Sequence, residues 1–195
     1  MKNYFCIIPY EWEKIKYENP CENPVLECSE PIHSPIFALM CNTIKSGEKI
    51  RLTVIRPDHE NCHTNFNTFL SDLESLKDKM GFEYDTIVVD TPLSETIDDY
   101  LNLFEKLMDT VHDDDDIYVD MTYGTKPIPI VLYMAITYAY KFRKCFVENT
   151  IYGKTKGIDL GELYDVTALF YMNMSISVMR DSADPRGLIK SILAL

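Results

Sequence analysis

The sequence predicts an α/β protein with a Rossmann-like, doubly wound and mainly parallel sheet. Four short apolar runs typical of buried strands alternate with segments whose apolar residues recur every three or four positions, the spacing of an amphipathic helix. Strands separated by helices are joined by crossover connections and therefore lie parallel in one sheet. Two further apolar runs separated by a glycine-containing turn predict a C-terminal strand pair, followed by an exiting helix.

Each predicted element has its own local pattern. Ser34 and Pro35 are typical of an N-cap and a first helical position, and Gly81 is typical of a helix end. A long loop is predicted for residues 10–35, which contain four prolines and no periodicity. The predicted strands span residues 3–9, 50–55, 84–89, 117–119, 145–151 and 163–169, and the helices between them span residues 34–44, 65–80, 96–111 and 127–142.

Length, composition and charge limit the domain organisation and the partners. The chain has 195 residues, of which 46% are hydrophobic and 12% aromatic, enough to fill one core. We expect one ligand-sensing domain over residues 1–180 and a C-terminal helical segment over residues 181–195, which packs in a dimer or starts a fused effector or linker. The formal charge of −12 argues against duplex nucleic acid as a partner. A small anion remains possible if local backbone groups bind it.

The six cysteines are expected to be reduced thiols of a cytoplasmic protein. The N-terminal segment has too few apolar residues and no small-residue cleavage site for a signal peptide. The longest apolar stretch, residues 128–140, is too short to cross a bilayer and predicts a buried helix. Membrane association is therefore expected only through a fused segment.

The expected fold locates a candidate site before any motif is considered. Ligands of doubly wound sheets bind outside the carboxyl ends of the strands, where the strand order reverses. Three connections follow such ends, at residues 9–12, 90–92 and 120–126. The candidate ligand-contacting residues of the first connection are Pro9, Tyr10, Glu11 and Trp12.

The connection after the fourth predicted strand has the chemistry of a phosphate or ribose cradle. Gly124 permits a sharp turn and a close approach of the backbone to a ligand. Thr122 and Thr125 offer hydroxyl groups, Lys126 offers a cation, and free amides at the helix start favour an anion. A plain strand-to-helix turn capped by Thr125 remains the alternative, because one glycine is a weak phosphate signature.

A resemblance to a known family rests on two segments. The stretch DMTYGTKPIPIVLYMAITYA (residues 120–139) resembles the Asp-x-Thr-His-Gly region of CRISPR-associated Rossmann-fold (CARF) proteins, with Tyr123 in the histidine position. The stretch LYDVTALFYMNMSISVM (residues 163–179) is similar to the family segment that closes the sheet and starts the exiting helix. The resemblance implies a homodimer that binds a cyclic oligoadenylate, the tetra- or hexa-adenylate messenger of type III CRISPR antiviral defence. It implies ligand contacts from Asp120, Thr122, Tyr123, Gly124, Thr125 and Lys126.

Three functions remain open at this point. A sensor domain would bind the ring and regulate an attached or partner effector. A ring nuclease would cleave the ring without metal by aligning a ribose 2′-hydroxyl with its phosphate, although Tyr123 cannot be protonated near neutral pH as a histidine can. A generic nucleotide-binding module is the third. Trp12 has two possible roles, stacking on adenine or packing in the core or a dimer interface.

Other polar groups and apolar surfaces lead to weaker expectations. His59, Cys62 and His63 lack a fourth ligand at regular spacing, so neither a metal site nor a cofactor is expected. The acidic run at residues 113–116 predicts a solvated turn. The surfaces expected in a dimer are Tyr133, Tyr138 and Tyr140 on the helix after the cradle and the apolar residues 188–195.

Overall fold

The computed structural model of the chain describes residues 1–179 and 182–193. The expected boundary between residues 180 and 181 and the last two residues of the C-terminal segment lie outside the described residues. The strands are β1 (Lys2–Ile7), β2 (Lys16–Glu18), β3 (Lys49–Pro57), β4 (Glu83–Thr91), β5 (Asp116–Asp120), β6 (Phe146–Thr155) and β7 (Leu160–Asp165). The helices are α1 (Ile36–Thr43), α2 (Glu60–Met80), α3 (Ile97–Asp109), α4 (Pro127–Phe142), α5 (Thr167–Val178) and α6 (Pro185–Leu193).

The seven strands form one sheet in the order β2-β7-β6-β5-β1-β3-β4. Every neighbouring pair is parallel except β6 and β7, which are antiparallel. The predicted fold class, a Rossmann-like α/β protein with a C-terminal strand pair and an exiting helix, is confirmed. The chain proceeds from β1 to β3 and β4 on one side and resumes with β5 on the other, so the strand order reverses between β1 and β5. The carboxyl ends of these two strands therefore border the expected ligand crevice.

Two hydrophobic clusters lie on opposite faces of the sheet. In β1, Tyr4 and Cys6 pack with α1 and α2, whereas Phe5 and Ile7 pack with α3, α4 and α5. This alternation follows from the two-residue period of a strand, and burial on both faces explains why β1 is apolar throughout. Both faces of the central strands are thus covered, which fixes the strand ends that carry the candidate site.

Several segments differ from their predicted bounds: α2 begins at Glu60 and not at residue 65, and β6 ends at Thr155 and not at residue 151. The predicted loop at residues 10–35 contains β2 and a 3₁₀ turn (Pro24–Leu26), because three residues are too few to show a strand pattern. The last strand ends at Asp165 and not at residue 169, as α5 begins at Thr167. The Asp165 carboxylate accepts a hydrogen bond from the Thr167 amide at 2.9 Å, which stops the strand locally.

The acidic turn after α3 is not wholly solvated as expected. Asp115 is 2% exposed, and its carboxylate accepts a hydrogen bond from the Arg51 guanidinium at 2.7 Å. The Asn3 amide and the His112 backbone N–H donate to the same oxygen at 3.4 and 3.1 Å. The expectation was wrong for Asp115 because its cationic partner lies on β3, distant in sequence, where the local run of aspartates cannot indicate it.

One edge of the sheet is β4, whose outer side no strand of the described residues covers. Glu83, Asp85 and Asp90 are exposed along this strand. The Lys106 ammonium from α3 donates to the Asp90 carbonyl oxygen at 3.2 Å. Among the described helices, none combines the length and the apolar character needed to cross a membrane.

Candidate functional site

Asp120, the last residue of β5, is a buried anchor rather than an exposed group. Its side chain is 1% exposed, and one carboxylate oxygen accepts the Thr122 amide at 2.9 Å. The other oxygen faces the amide of Ile36 at 3.2 Å and the hydroxyl of Ser34 at 3.4 Å. Burial raises the pKa of Asp120 to about 6. The residue therefore ties the β5–α4 loop (residues 121–126) to the start of α1.

The same contacts correct the predicted cap of α1. Pro35 stands at the N-cap position and makes no side-chain capping bond, whereas the Ser34 hydroxyl donates to Asp120. The sequence predicts Ser34 as the cap because the serine hydroxyl commonly accepts a hydrogen bond from a backbone amide at helix starts. Here a carboxylate from a neighbouring strand accepts the first amide of the helix instead.

Gly124 fits its position for two reasons. Its φ of +95° lies in a region that L side chains rarely adopt. A Cβ atom at this position would lie 3.3 Å from both methyl carbons of Ile7 and 3.4 Å from the Cβ of Ile128. The β5–α4 loop thus packs against the end of β1, at the point where the strand order reverses.

The hydrogen-bond donors of this loop differ from the expected ones. Pro127 and Pro129 have no amide hydrogen, and the Ile128 amide donates to the Thr125 carbonyl at 2.9 Å. The first turn of α4 therefore does not supply the free amides that were expected there. Four consecutive backbone amides lie just before it and donate to no acceptor within the described residues: those of Tyr123, Gly124, Thr125 and Lys126.

The side chains of Thr122 and Tyr123 are used within the protein. The Thr122 hydroxyl oxygen accepts the amide of Gly153 at 2.8 Å. The Tyr123 hydroxyl donates to the His33 carbonyl oxygen at 3.2 Å and lies 3.5 Å from the hydroxyl of Tyr17. Burial, with the neighbouring Tyr17, raises the pKa of Tyr123 above its ordinary value. Both side chains position the loop and leave its backbone outermost.

Lys126 and Thr125 complete the loop. Lys126 is exposed, and no carboxylate of the described residues forms an ion pair with it. It is also the N-cap residue of α4, without a side-chain capping bond, so Thr125 is not the cap, and a plain strand-to-helix turn remains the alternative. The Thr125 hydroxyl oxygen is buried and has no hydrogen-bond partner in the described part of the chain.

The structure separates the four candidate residues after β1. Pro9 is buried, Tyr10 is partly buried at the strand end, and Glu11 is exposed. The Trp12 ring instead stacks on His33 at 5.4 Å and meets the edge of Phe69 at 6.2 Å. Trp12 therefore packs against the core between the sheet and α2, which corresponds to the second of its two expected roles.

Two parts of the strand ends were missed by sequence reasoning. β6 continues past Ile151, which pairs with Asp120, so Gly153 and the exposed Lys154 border the β5–α4 loop. The sequence predicts only a turn at these two residues. His59, at the end of β3, lies against Tyr10. Cys62 and His63 lie near it in sequence. No group of three or more side chains that could hold a metal ion occurs among residues 1–179 and 182–193.

Comparison with known proteins does not add a family to this description. No family model matches the chain, and no curated protein matches it. The functional argument therefore rests on the fold and on the geometry of the strand ends. Within the described residues, that geometry offers unpartnered backbone amides and the exposed ammonium groups of Lys126 and Lys154, which together suit a phosphorylated ligand.

Proposed function

We propose that the chain is a sensor domain of the CARF type that binds a cyclic oligoadenylate and regulates an attached or partner effector. The observation that carries this proposal is the run of four amides over residues 123–126, beside the exposed ammonium of Lys126, for none of which the described part of the chain supplies a partner. Successive amide donors in a turn form a concave site for anions. Their position at the reversal of strand order is where ligands of such sheets bind.

The state of the two titratable groups in the motif favours binding over catalysis. Tyr123 donates its hydroxyl hydrogen to a backbone carbonyl, and its pKa is raised, so it does not exchange protons near neutral pH. Asp120 is enclosed, and its carboxylate is engaged by the start of α1. A ring nuclease would have to rely on alignment and charge stabilisation alone.

A two-fold symmetric ring calls for two copies of the β5–α4 loop. Two of the three tyrosines expected at a dimer surface, Tyr133 and Tyr140, pack edge-on against Phe170 of α5 within the chain. Exposed apolar residues on α4 support a dimer better: Ile130 is 61% and Met134 48% exposed, close to the loop in sequence. Such a surface pairs with its own copy in an isologous contact.

Calorimetric titration with cyclic tetra-adenylate and cyclic hexa-adenylate tests the proposal. We expect saturable binding of one ring, with one ring per two chains, and weaker binding of linear tetra-adenylate and AMP. Undetectable binding of both rings at micromolar protein would overturn it. Preference for AMP over either ring would favour a generic nucleotide-binding module.

A second measurement separates the sensor from the enzyme. The protein is incubated with the bound ring in EDTA, and the products are resolved by chromatography. We expect the ring to remain intact over many hours. Linear products that accumulate in proportion to protein concentration would replace the sensor by a metal-independent ring nuclease.

A further inference from the structure

Two aromatic rings meet at the ends of β1 and β3, outside the cradle motif. The ring centroids of Tyr10 and His59 are 5.0 Å apart, with an interplanar angle of 89°. Both residues are only partly buried. The His59 Nδ1 atom accepts the Asn61 amide at 3.1 Å, so its Nε2 atom is the one free to face a ligand.

The backbone beneath Tyr10 is held by α2. The Asn65 side-chain amide donates to the Pro9 carbonyl at 2.8 Å and to the Tyr10 carbonyl at 3.2 Å. His59 is held in turn as the N-cap residue of the same helix. Two aromatic side chains on fixed backbones give a preorganised surface, which lowers the ordering cost of binding.

The sheet order places this aromatic pair close to the β5–α4 loop. β1 lies between β5 and β3, and the three strands are parallel, so the connections that follow them leave the same edge of the sheet. The loop also contacts the end of β1, because a Cβ at Gly124 would lie 3.3 Å from the Ile7 side chain. The aromatic pair and the anion-binding amides thus lie at neighbouring strand ends.

We propose that Tyr10 and His59 form the surface on which a heterocyclic base of the ligand stacks while the β5–α4 loop binds the phosphate. This inference rests on the proposed function. It places the base on Tyr10 and His59 and not on Trp12, the residue that the sequence suggests for stacking. Trp12 already stacks on His33 and meets the edge of Phe69, whereas Tyr10 and His59 follow β1 and β3 at the edge of the sheet where the β5–α4 loop lies. Aromatic faces bind any base by stacking, so this surface supplies affinity more than sequence selection.

Titration of two variants with cyclic tetra-adenylate and hexa-adenylate tests the assignment. Tyr10→Leu keeps an apolar side chain without an aromatic face, and His59→Asn keeps a residue that can cap α2. We expect each to weaken binding roughly tenfold or more, the scale of a lost base–aromatic stack. The melting temperature should stay near that of the wild type. Tyr152→Ala, at an exposed tyrosine on β6, is the matched control and should bind as the wild type does.

Fluorescence of Trp12, the single tryptophan, supplies an independent readout. We expect little change in its emission when the ring binds. Wild-type affinity in both folded variants, or strong quenching of Trp12 on binding, would overturn the base assignment and leave the proposed function standing. Failure of the wild type to bind either ring would instead overturn the proposed function and this assignment together.

Discussion

The carboxylate of Asp120 accepts the backbone amide of Ile36 at 3.2 Å, and this contact joins the candidate loop to the start of α1. A residue that the motif suggested as a ligand contact is thereby a structural anchor with a buried charge. Its effect on the site is to hold Thr122 and the amides that follow in one conformation.

The buried carboxyl group predicts a pH-dependent contribution to stability. Burial raises the pKa of Asp120 from 3.8 to about 6, so the folded chain holds the proton more tightly than the unfolded chain. The resulting stabilisation is full below the unfolded pKa and is lost as pH rises through the folded one. Between pH 5 and pH 7 we expect the wild type to lose about 1 kcal/mol relative to Asp120→Asn. Urea denaturation of both proteins at the two pH values measures the difference, and a gain for the wild type over this range would contradict it.

Lys126 should act on affinity alone. Its ammonium group has no ion-pair partner in the described chain, so Lys126→Ala should leave the melting temperature unchanged. It should weaken binding of the cyclic ligand by roughly 1–3 kcal/mol, the scale of a lost charge-assisted hydrogen bond. Lys141→Ala, in the last turn of the same helix, is the control that removes an equal charge far from the loop. Equal affinities for the two variants would remove Lys126 from the site.

Gly124 should be sensitive to a single methyl group. Gly124→Ala places a Cβ at a positive φ and within 3.3 Å of the Ile7 side chain, and we expect a loss of about 1–2 kcal/mol in the free energy of unfolding. Gly157→Ala is the matched control, since a Cβ there meets nothing within 4 Å. Denaturant titration compares the two, and similar stabilities would show that the tight turn accommodates a side chain.

A dimer predicts a molecular mass in solution and a substitution on α4 that should dissociate it. Light scattering at micromolar concentration should give about twice the 22.6 kDa chain mass. Ile130→Glu should yield a folded monomer, because it places a charge on the exposed apolar face of α4 near the loop. Phe142→Glu, at the other end of that helix and 72% exposed, should leave the dimer intact. A wild-type chain that stays monomeric when saturated with the ring would contradict the symmetric binding mode.

Features set by neighbouring residues were predictable from the sequence, and those set by distant partners were not. The glycine turn at Gly124 and the prolines at the start of α4 follow from local backbone chemistry. The helix–strand alternation follows from apolar periodicity. In contrast, Asp120 meets Ser34 and Ile36 only after the sheet has formed, and Arg51 reaches Asp115 across neighbouring strands. The two prolines also show the limit of a local argument, because they start the helix and at the same time remove the amides expected to bind an anion.

The outer edge of β4 affects how the protein resists polymerisation at high concentration. A second strand approaching this edge would have to strip water from the carboxylates of Glu83, Asp85 and Asp90 and displace the Lys106 ammonium from its carbonyl acceptor. Charged groups and lysines on edge strands are a common protection against polymerisation through the sheet. These charges therefore oppose the addition of a strand from another molecule at β4.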